Sequence, residues 1–337
     1  MRILIYGAGA MGTVLGAFLA RAGVQADLVT RNLRHVNALN KSGAHIIGAA
    51  DFTVLVNAYT PDGINGVYDI VFLMTKQSDN SGILAALLPH IAENGVVCTM
   101  QNGLPEPSVA EIVGEDRCVG CAVSWGATFI GEGCSKLTTS PKAMQFALGS
   151  LYEASKNKLE DVKNILSQAG EVTTEDNFIG ARWIKLAINC AFSSLSAMSG
   201  LTFGEVARGK LSKRVALEIF NESVAAGRAC GIKPEKIQGH DVAALLSYKS
   251  KLKKAFTLSL MPTVMKNHSL LQSGMLFDLQ KGKKCEIDFI NGVAISYGEG
   301  ASFLTPYNGL AVKIIKEIEV GERKISPENI NLFKNLL

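Results

Sequence analysis

A glycine-rich loop near the amino terminus is the first candidate site. It follows an apolar run, precedes a helical pattern and consists of Gly7, Ala8, Gly9, Ala10, Met11 and Gly12. In that context Gly7 permits a tight turn, Gly9 lets the backbone approach a pyrophosphate, and Gly12 lets the helix pack on the strand. The N–H groups and partial positive charge at the helix start favour an anion there. A glycine-rich turn that binds no ligand is the alternative interpretation.

The end of the second strand indicates which dinucleotide this loop would bind. An NAD site places Asp or Glu there, about 20 residues after the motif, to bind the ribose 2′-hydroxyl. Here the position carries Arg31, and Asp27 lies too early in the strand to reach the ribose. A guanidinium forms a charge-assisted fork with a 2′-phosphate, where a carboxylate would repel it. The sequence therefore predicts NADP(H), unless Arg31 is an incidental surface residue.

Two further polar residues follow predicted strands of the same sheet. Lys76 follows the strand at 70–75, and Asn102 follows the strand at 96–100. Open α/β sheets bind their ligands at the carboxyl ends of the strands. Lys76 and Asn102 are therefore candidate cofactor residues, although Asn102-Gly103 alone is an ordinary turn signal.

A polar stripe on an otherwise apolar helix is the second candidate site. Lys185, Asn189 and Ser193 are spaced by four residues, so they share one face of the helix while the apolar residues lie elsewhere. Either Lys185 extends to water along the apolar surface, or it faces a polar cleft. In a cleft, burial would lower the pKa of the lysine and let it give up a proton during a reaction.

Acidic and small polar residues form a third group, far along the chain. Ser273 and Gly274 precede one helical pattern, Gly282 is expected to end it, and Glu286 stands near the start of the next helix. An acid at a helix start is also favourable for dipole reasons alone. That explanation and a functional one stay open for Glu286.

The elements that must position these residues indicate an α/β fold. Short β-rich runs at 2–6, 26–30, 70–75 and 96–100 alternate with helical patterns at 11–22 and 82–91. This alternation predicts a Rossmann-type parallel sheet. Glycine-interrupted strands between 119 and 149 are expected to add antiparallel strands at its edge. Since nearly every segment from 179 onward has helical periodicity, we predict an N-terminal domain at 1–176 and an all-α domain at 177–337.

Composition excludes several classes of protein. The 337 residues are 47% hydrophobic and 19% charged, which is typical of a globular protein with a large core. A net charge of +4 is far from a nucleic-acid-binding footprint. The seven cysteines are odd in number and mostly apolar in context, and the five histidines lack ligand spacing, so we expect no disulfide framework and no metal site. We also expect a cytoplasmic protein without a signal peptide or membrane span.

Taken together, these motifs resemble the ketopantoate reductase family (2-dehydropantoate 2-reductases), nearly from end to end. The residues that carry the resemblance are the loop from Gly7 to Gly12, Arg31, Thr75-Lys76, Gln101-Asn102-Gly103, Lys185-Leu186 with Asn189, Asp278, Glu286-Ile287-Asp288 and Asn291-Gly292. The resemblance implies NADP(H) as cofactor, with Arg31 and Lys76 at its phosphate end. It places Asn102 near the nicotinamide and the substrate. It makes Lys185 the general acid, with Asn189 and Glu286 binding substrate.

Two positions depart from the family pattern. Ser193 stands where the family usually has a second Asn, and Gly274 stands where a Ser usually precedes Met275. Ser193 is the candidate replacement for the Asn, and Ser273, next to Gly274, is the candidate replacement for the Ser. On a helix, however, the side chain of Ser273 would point about 100° away from that of position 274. Loss of hydrogen-bonding groups from a polar site shifts substrate specificity, so the identity of the 2-oxo acid stays open.

The expected function is NADPH-dependent reduction of a 2-oxo acid to a 2-hydroxy acid, most simply 2-dehydropantoate to pantoate in the pathway to pantothenate and coenzyme A. One alternative is a D-2-hydroxy acid dehydrogenase of the same fold. A second is a non-catalytic NADP-sensing protein. The sequence leaves monomer and homodimer equally open.

Overall fold

The computed structural model describes residues 1–237 and 239–337, apart from the side chain of residue 267. The chain divides into two compact units. The first comprises Met1–Gln101 and Pro105–Phe178, and the second comprises Asn102–Leu104 and Ile179–Leu337.

The first unit contains two sheets and five α-helices. Its strands are β1 (Ile3–Tyr6), β2 (Asp27–Val29), β3 (Ala44–Gly48), β4 (Phe52–Val54), β5 (Asn57–Tyr59), β6 (Tyr68–Leu73), β7 (Ile91–Thr99), β8 (Cys118–Val123), β9 (Ala127–Gly131), β10 (Cys134–Leu137), β11 (Gln145–Gly149) and β12 (Glu171–Thr174). Its helices are α1 (Ala10–Arg21), α2 (Leu33–Ser42), α3 (Asn80–Leu87), α4 (Glu106–Val113) and α5 (Leu159–Leu166).

The main sheet has eight strands in the order β12-β11-β8-β7-β6-β1-β2-β5. All neighbours are parallel except β11 and β8, which are antiparallel. Alternate residues of β1 enter two different cores, with Ile3 and Ile5 in one and Leu4 and Tyr6 in the other. This pattern shows that the sheet is covered on both faces, as its near-continuous apolar strands predict.

The predicted antiparallel addition is present in β11, but the prediction is wrong for the strands just before it. β9 and β10 pair with each other and form a separate four-stranded sheet in the order β4-β3-β10-β9. β10 runs parallel to β3, whose residues lie about 90 positions earlier, with Cys134 opposite His45. The glycine-interrupted pattern indicates strands correctly, but alternation within a strand carries no information about a distant partner.

The second unit is helical. Its helices are α6 (Phe178–Ile188), α7 (Ser194–Ser199), α8 (Phe203–Arg208), α9 (Ser212–Ala229), α10 (Val242–Leu246), α11 (Lys251–Val264), α12 (Gly274–Gln280), α13 (Ile287–Gly300) and α14 (Pro306–Glu319). A π-helical turn (Asn189–Ser193) joins α6 to α7. The described part of this unit has no paired strands beyond a single bridge between Ile237 and His240. These helices and the parallel sheet of the first unit confirm the predicted fold class.

Within the described ranges, no helix is both long and apolar enough to cross a membrane. The same residues contain no group of three or more His, Cys, Asp or Glu side chains arranged to hold a metal ion.

Candidate functional site

The glycine-rich loop lies between β1 and α1, at the carboxyl end of the main sheet. Gly7 has a φ of +111°, and a Cβ there would lie 2.6 Å from the backbone carbon of Met74. At Gly12, a Cβ would lie 2.4 Å from the carbonyl oxygen of Gly7. Both glycines are therefore required by the packing of the loop itself.

Gly9 differs from its two neighbours because a Cβ at this position would meet no atom within 4 Å. The residue is exposed and stands at the N-cap of α1, where no side chain caps the helix. The first N–H groups of a helix lack intrahelical acceptors. The loop thus presents free space beside unsatisfied N–H donors, which fits the pyrophosphate of a dinucleotide.

A buried hydrogen-bonded chain supports this loop, and no sequence pattern predicted it. Gly133 donates its N–H to Nδ1 of His35 at 2.9 Å, so the ring proton resides on Nε2. His35 Nε2 then donates to Oγ1 of Thr13 at 3.0 Å, and Thr13 donates to the Ala8 carbonyl at 3.4 Å. Burial lowers the pKa of His35, in keeping with a neutral ring. The chain links the glycine loop to the turn between β9 and β10.

Arg31 lies directly after β2, beside the start of α2. Its side chain is 82% exposed, and its guanidinium contacts the Asp79 carboxylate through Nη2 at 3.1 Å. Asn32 caps α2 by accepting the N–H of His35. Arg31 is therefore accessible to a phosphate, and Asp79 is the anion that such a phosphate would have to displace.

Gln101 organises the polar ends of β6 and β7. Its amide nitrogen donates to the Thr75 carbonyl at 2.9 Å and to Oδ1 of Asn80 at 2.7 Å, while its oxygen accepts from Thr99 at 3.0 Å. Both Gln101 and Asn80 are almost fully buried. The network fixes the chain just before Lys76 and just after it, and Lys76 itself is half-buried.

Asn102 follows Gln101, is exposed and is grouped with the second unit. Gly103 next to it has a φ of +84°, so the predicted turn is present. Sequence position alone singled out Asn102. The buried amide of Gln101 was missed because its side-chain partners come from three separate elements.

The polar stripe of the second unit contains three of the four partly exposed residues at 184–199, the fourth being Ile188. Lys185, Asn189 and Ser193 are each partly exposed, whereas Ile184, Leu186, Ala187, Cys190, Ala191 and Phe192 are at most 1% exposed. Ser193 donates its hydroxyl to Oδ1 of Asn189 at 3.2 Å. The structure therefore brings Asn189 and Ser193 together on the face that carries Lys185.

Glu286 occupies the N-cap position of α13 but does not cap that helix with its side chain. It is half-buried, and it follows an exposed turn at Gly282, whose φ is +64°. Two residues later, Asp288 forms an ion pair with Lys316. The two acidic residues of the motif therefore differ in role. Asp288 forms an ion pair within the unit, whereas the side chain of Glu286 does not cap α13.

Ser273, a predicted substrate residue, has a structural role in this fold. It is the N-cap residue of α12 rather than part of that helix, it is 3% exposed, and its hydroxyl accepts the N–H of Met275 at 3.1 Å. Its own N–H donates to Oγ of Ser196. A Cβ at the following Gly274 would meet nothing within 4 Å. Ser273 is therefore engaged in holding α12, while the space beside Gly274 is open.

Two family models together match most of the chain. The ketopantoate reductase PanE/ApbA model matches residues 3–150, and the corresponding C-terminal model matches residues 177–319. The chain belongs to this family. Family members are NADP-dependent oxidoreductases, and the chain is accordingly an enzyme of that class.

Relatives of the chain are similar over nearly their whole length. A 2-dehydropantoate 2-reductase of Pyrococcus horikoshii is 28% identical over 323 residues, which cover 95% of this chain and 98% of the relative. The solved structure of a PanE/ApbA family ketopantoate reductase from Ralstonia eutropha is 25% identical, with a TM-score of 0.79 and coverage of 96% and 100%.

A further solved structure shares the fold at lower identity. D-mandelate dehydrogenase with NADH and anilino(oxo)acetate is 21% identical, with a TM-score of 0.82 and coverage of 95% of this chain and 99% of that one. The fold of this chain therefore occurs in proteins named for different substrates, ketopantoate and D-mandelate.

Proposed function

We propose that the chain reduces the keto group of a 2-oxo acid to a hydroxyl with NADPH, and that 2-dehydropantoate is its substrate. One observation carries the proposal. In a member of this family, the helical segment at 184–199 is buried except at Lys185, Asn189, Ser193 and the neighbouring Ile188. A cation placed on such a face suits proton transfer to a bound substrate.

We further propose a division of roles between residues 1–176 and 177–337. Gly7, Ala8, Gly9, Ala10, Met11 and Gly12 bind the pyrophosphate in this proposal. Arg31 and Lys76 bind the phosphate end of the cofactor, and Asn102 lies near its nicotinamide. The open space at Gly9 and the exposed guanidinium of Arg31 support these roles.

Bound NADPH would supply the hydride that reduces the carbonyl carbon. Lys185 donates its Nζ proton to the carbonyl oxygen as negative charge develops there. Asn189 and Ser193 orient the substrate from the same face of the helix, and Glu286 binds a substrate hydroxyl. Among these residues Ser273 has the weakest support, because its hydroxyl already accepts the N–H of Met275.

The oxidation of a D-2-hydroxy acid is the second candidate function. The fold similarity to D-mandelate dehydrogenase favours it, and so does Gly274, which lacks the hydroxyl that the family pattern usually places there. Both candidates use the same proton-transfer group, and they differ in the side chain of the substrate.

A substrate panel with both cofactors tests the proposal. The rate of cofactor oxidation is measured by absorbance. We expect it to be highest with 2-dehydropantoate and lower with 2-oxoisovalerate and phenylglyoxylate. With every substrate, NADH should be oxidised more slowly than NADPH. If kcat/KM were highest with phenylglyoxylate, 2-dehydropantoate would be rejected as the substrate and the D-2-hydroxy acid dehydrogenase function would be favoured. Binding of NADPH without turnover of any 2-oxo acid would indicate a sensor instead of an enzyme of this reaction.

A further inference from the structure

The π-helical turn between α6 and α7 lies within the polar stripe. It spans Asn189–Ser193, so two of the three stripe residues mark its ends. A π-turn bonds each N–H five residues back instead of four, and such turns are frequent at functional sites. The local helix therefore needs support that an ordinary α-helix does not need.

The turn also changes where the stripe residues point. In an α-helix of 3.6 residues per turn, residues four apart are displaced by about 40° around the axis. A wider turn rotates the chain less per residue and reduces this displacement. The π-turn thus brings Ser193 closer to the line of Lys185 and Asn189, and Ser193 donates a hydrogen bond to Asn189 there.

The carbonyl of Cys190, inside the turn, accepts hydrogen bonds from two side chains. One comes from the hydroxyl of Ser194 and the other from Nδ2 of Asn291 on α13, at 3.1 Å. Cys190 and Asn291 are both fully buried. A buried carbonyl that loses its donors destabilises the fold, because it has already given up its hydrogen bonds to water. Asn291 is the donor that comes from outside the helix.

A buried relay fixes the orientation of the Asn291 amide. The Glu222 carboxylate accepts the N–H groups of Tyr307 and Asn308 and also Nδ2 of Asn308, at 2.7–2.9 Å. Asn308 must then turn its oxygen the other way, where it accepts Nδ2 of Asn291 at 2.9 Å. The two amide hydrogens of Asn291 are thereby assigned, one to Asn308 and one to the carbonyl of Cys190.

The amide is kept at position 291 in spite of an energetic cost. Its Oδ1 is buried and has no hydrogen-bond partner in the part of the chain that the structure describes. An apolar side chain of similar volume would avoid this cost. The value of the amide therefore lies in its NH2 group.

We propose that Asn291 is a positioning residue for the proposed reaction, because it holds the π-turn that aligns Asn189 and Ser193 with Lys185. It touches neither substrate nor cofactor in this role. It acts through the backbone of Cys190, and Asn308 and Glu222 set its direction. The inference rests on the proposed function, since the stripe must bind substrate for its alignment to matter.

The test compares the buried Asn291 with a partly buried asparagine of the same unit, Asn221. Asn291→Leu removes the donor at nearly constant volume. Asn221→Leu removes an amide that donates to the carbonyls of Leu217 and Leu246 and has no bond to the π-turn. Since small misplacements in an active site cost up to about 10²-fold in rate, we expect N291L to lower kcat by about 10–100-fold. NADPH affinity should stay at the parental value, and N221L should lower stability without changing kcat per folded molecule.

Ser194→Ala provides a milder version, because it removes the second donor to the same carbonyl. We expect a smaller loss of kcat in the same direction. Parental kcat and KM in N291L, or an equal loss of kcat in N221L, would overturn the inference.

A crystal structure of N291L separates this inference from the proposed function. If the parent reduces no 2-oxo acid, the proposed function fails. An unchanged π-turn in N291L would refute the positioning role whatever the parent does, and a regular α-helix across 189–193 would support it.

Discussion

The two groups of candidate residues are built in different ways. In the first unit, the loop at Gly7, Gly9 and Gly12 depends on the absence of side chains, and in our proposal backbone atoms bind the cofactor. In the second unit, the stripe depends on particular side chains on the surface of a helix. Substitutions in the loop are therefore expected to act through shape, whereas substitutions in the stripe should change chemistry and leave the fold intact.

The largest effect is expected at Lys185. A positioned general acid contributes about 10²–10⁴-fold in rate, so Lys185→Ala should lose that much kcat in the steady-state assay. The side chain lies on a partly exposed face, so unfolding by urea should change little. NADPH binding, followed by fluorescence titration, serves as the internal control and should match the parent. A variant with parental kcat would remove Lys185 from the mechanism.

The glycine loop permits a matched pair of substitutions. At Gly9, alanine finds open space and a φ of −83°, so G9A should fold normally. Because the added methyl group occupies the space proposed for pyrophosphate, we expect its NADPH Kd to rise by about tenfold or more, a loss of about 1.4 kcal/mol.

Gly12→Ala should behave differently, since its Cβ would lie 2.4 Å from the carbonyl oxygen of Gly7. Overpacking of this kind costs about 1–3 kcal/mol, so urea unfolding should show a clear loss of stability. Equal losses of stability in G9A and G12A would mean that the two glycines do not differ in role.

Arg31 and Asp79 test whether a charged side chain of the first unit contributes to cofactor affinity. Arg31→Ala should weaken NADPH by about tenfold and leave NADH unchanged, because only NADPH carries the 2′-phosphate. Asp79→Asn should act in the opposite direction, since it releases the guanidinium that Asp79 contacts at 3.1 Å. An exposed ion pair is worth up to about 1 kcal/mol, so the gain in NADPH affinity should be at most about fivefold.

The double variant R31A/D79N sharpens this result. With the guanidinium already absent, D79N should improve NADPH binding less than it does in the parent. Titration of NADPH and NADH against the parent, the two single variants and the double variant gives the coupling energy between Arg31 and Asp79. A D79N variant that changes NADH as much as NADPH would show that Asp79 does not act through the 2′-phosphate site.

The contrast between the two regions also explains what the sequence could predict. The β1-loop-α1 motif is local, because glycine spacing, strand and helix lie within about 20 residues, and the loop was predicted residue by residue. The stripe at Lys185, Asn189 and Ser193 was visible in the same way, since helical periodicity alone places them together.

What escaped prediction depends on distant parts of the chain. The partner of β10 is β3, and the support of the glycine loop comes through His35 from Gly133. The π-turn was also missed, since the same apolar pattern fits a regular α-helix and the side chain that supports the turn, Asn291, lies about 100 residues later. Ser273 was expected on a helix, but its hydroxyl caps that helix instead.

The smallest expected effect concerns the support of the glycine loop by His35. Burial lowers the pKa of His35 below its ordinary value of 6.5. The unfolded chain therefore binds a proton that the folded chain does not, so this contribution to stability is complete above pH 6.5 and is lost as the pH falls toward the folded pKa. Protonation also removes the Nδ1 acceptor that Gly133 uses.

Two substitutions separate the titration of His35 from its hydrogen bonds. His35→Asn should be less stable than the parent at pH 8 and should lose less further stability between pH 7 and pH 5, as measured by urea unfolding at each pH. Thr13→Val breaks the link to Ala8 but keeps the imidazole. It should therefore lower stability at every pH and retain the parental slope. If H35N kept that slope as well, the acid sensitivity would have to come from groups other than the histidine behind the glycine loop.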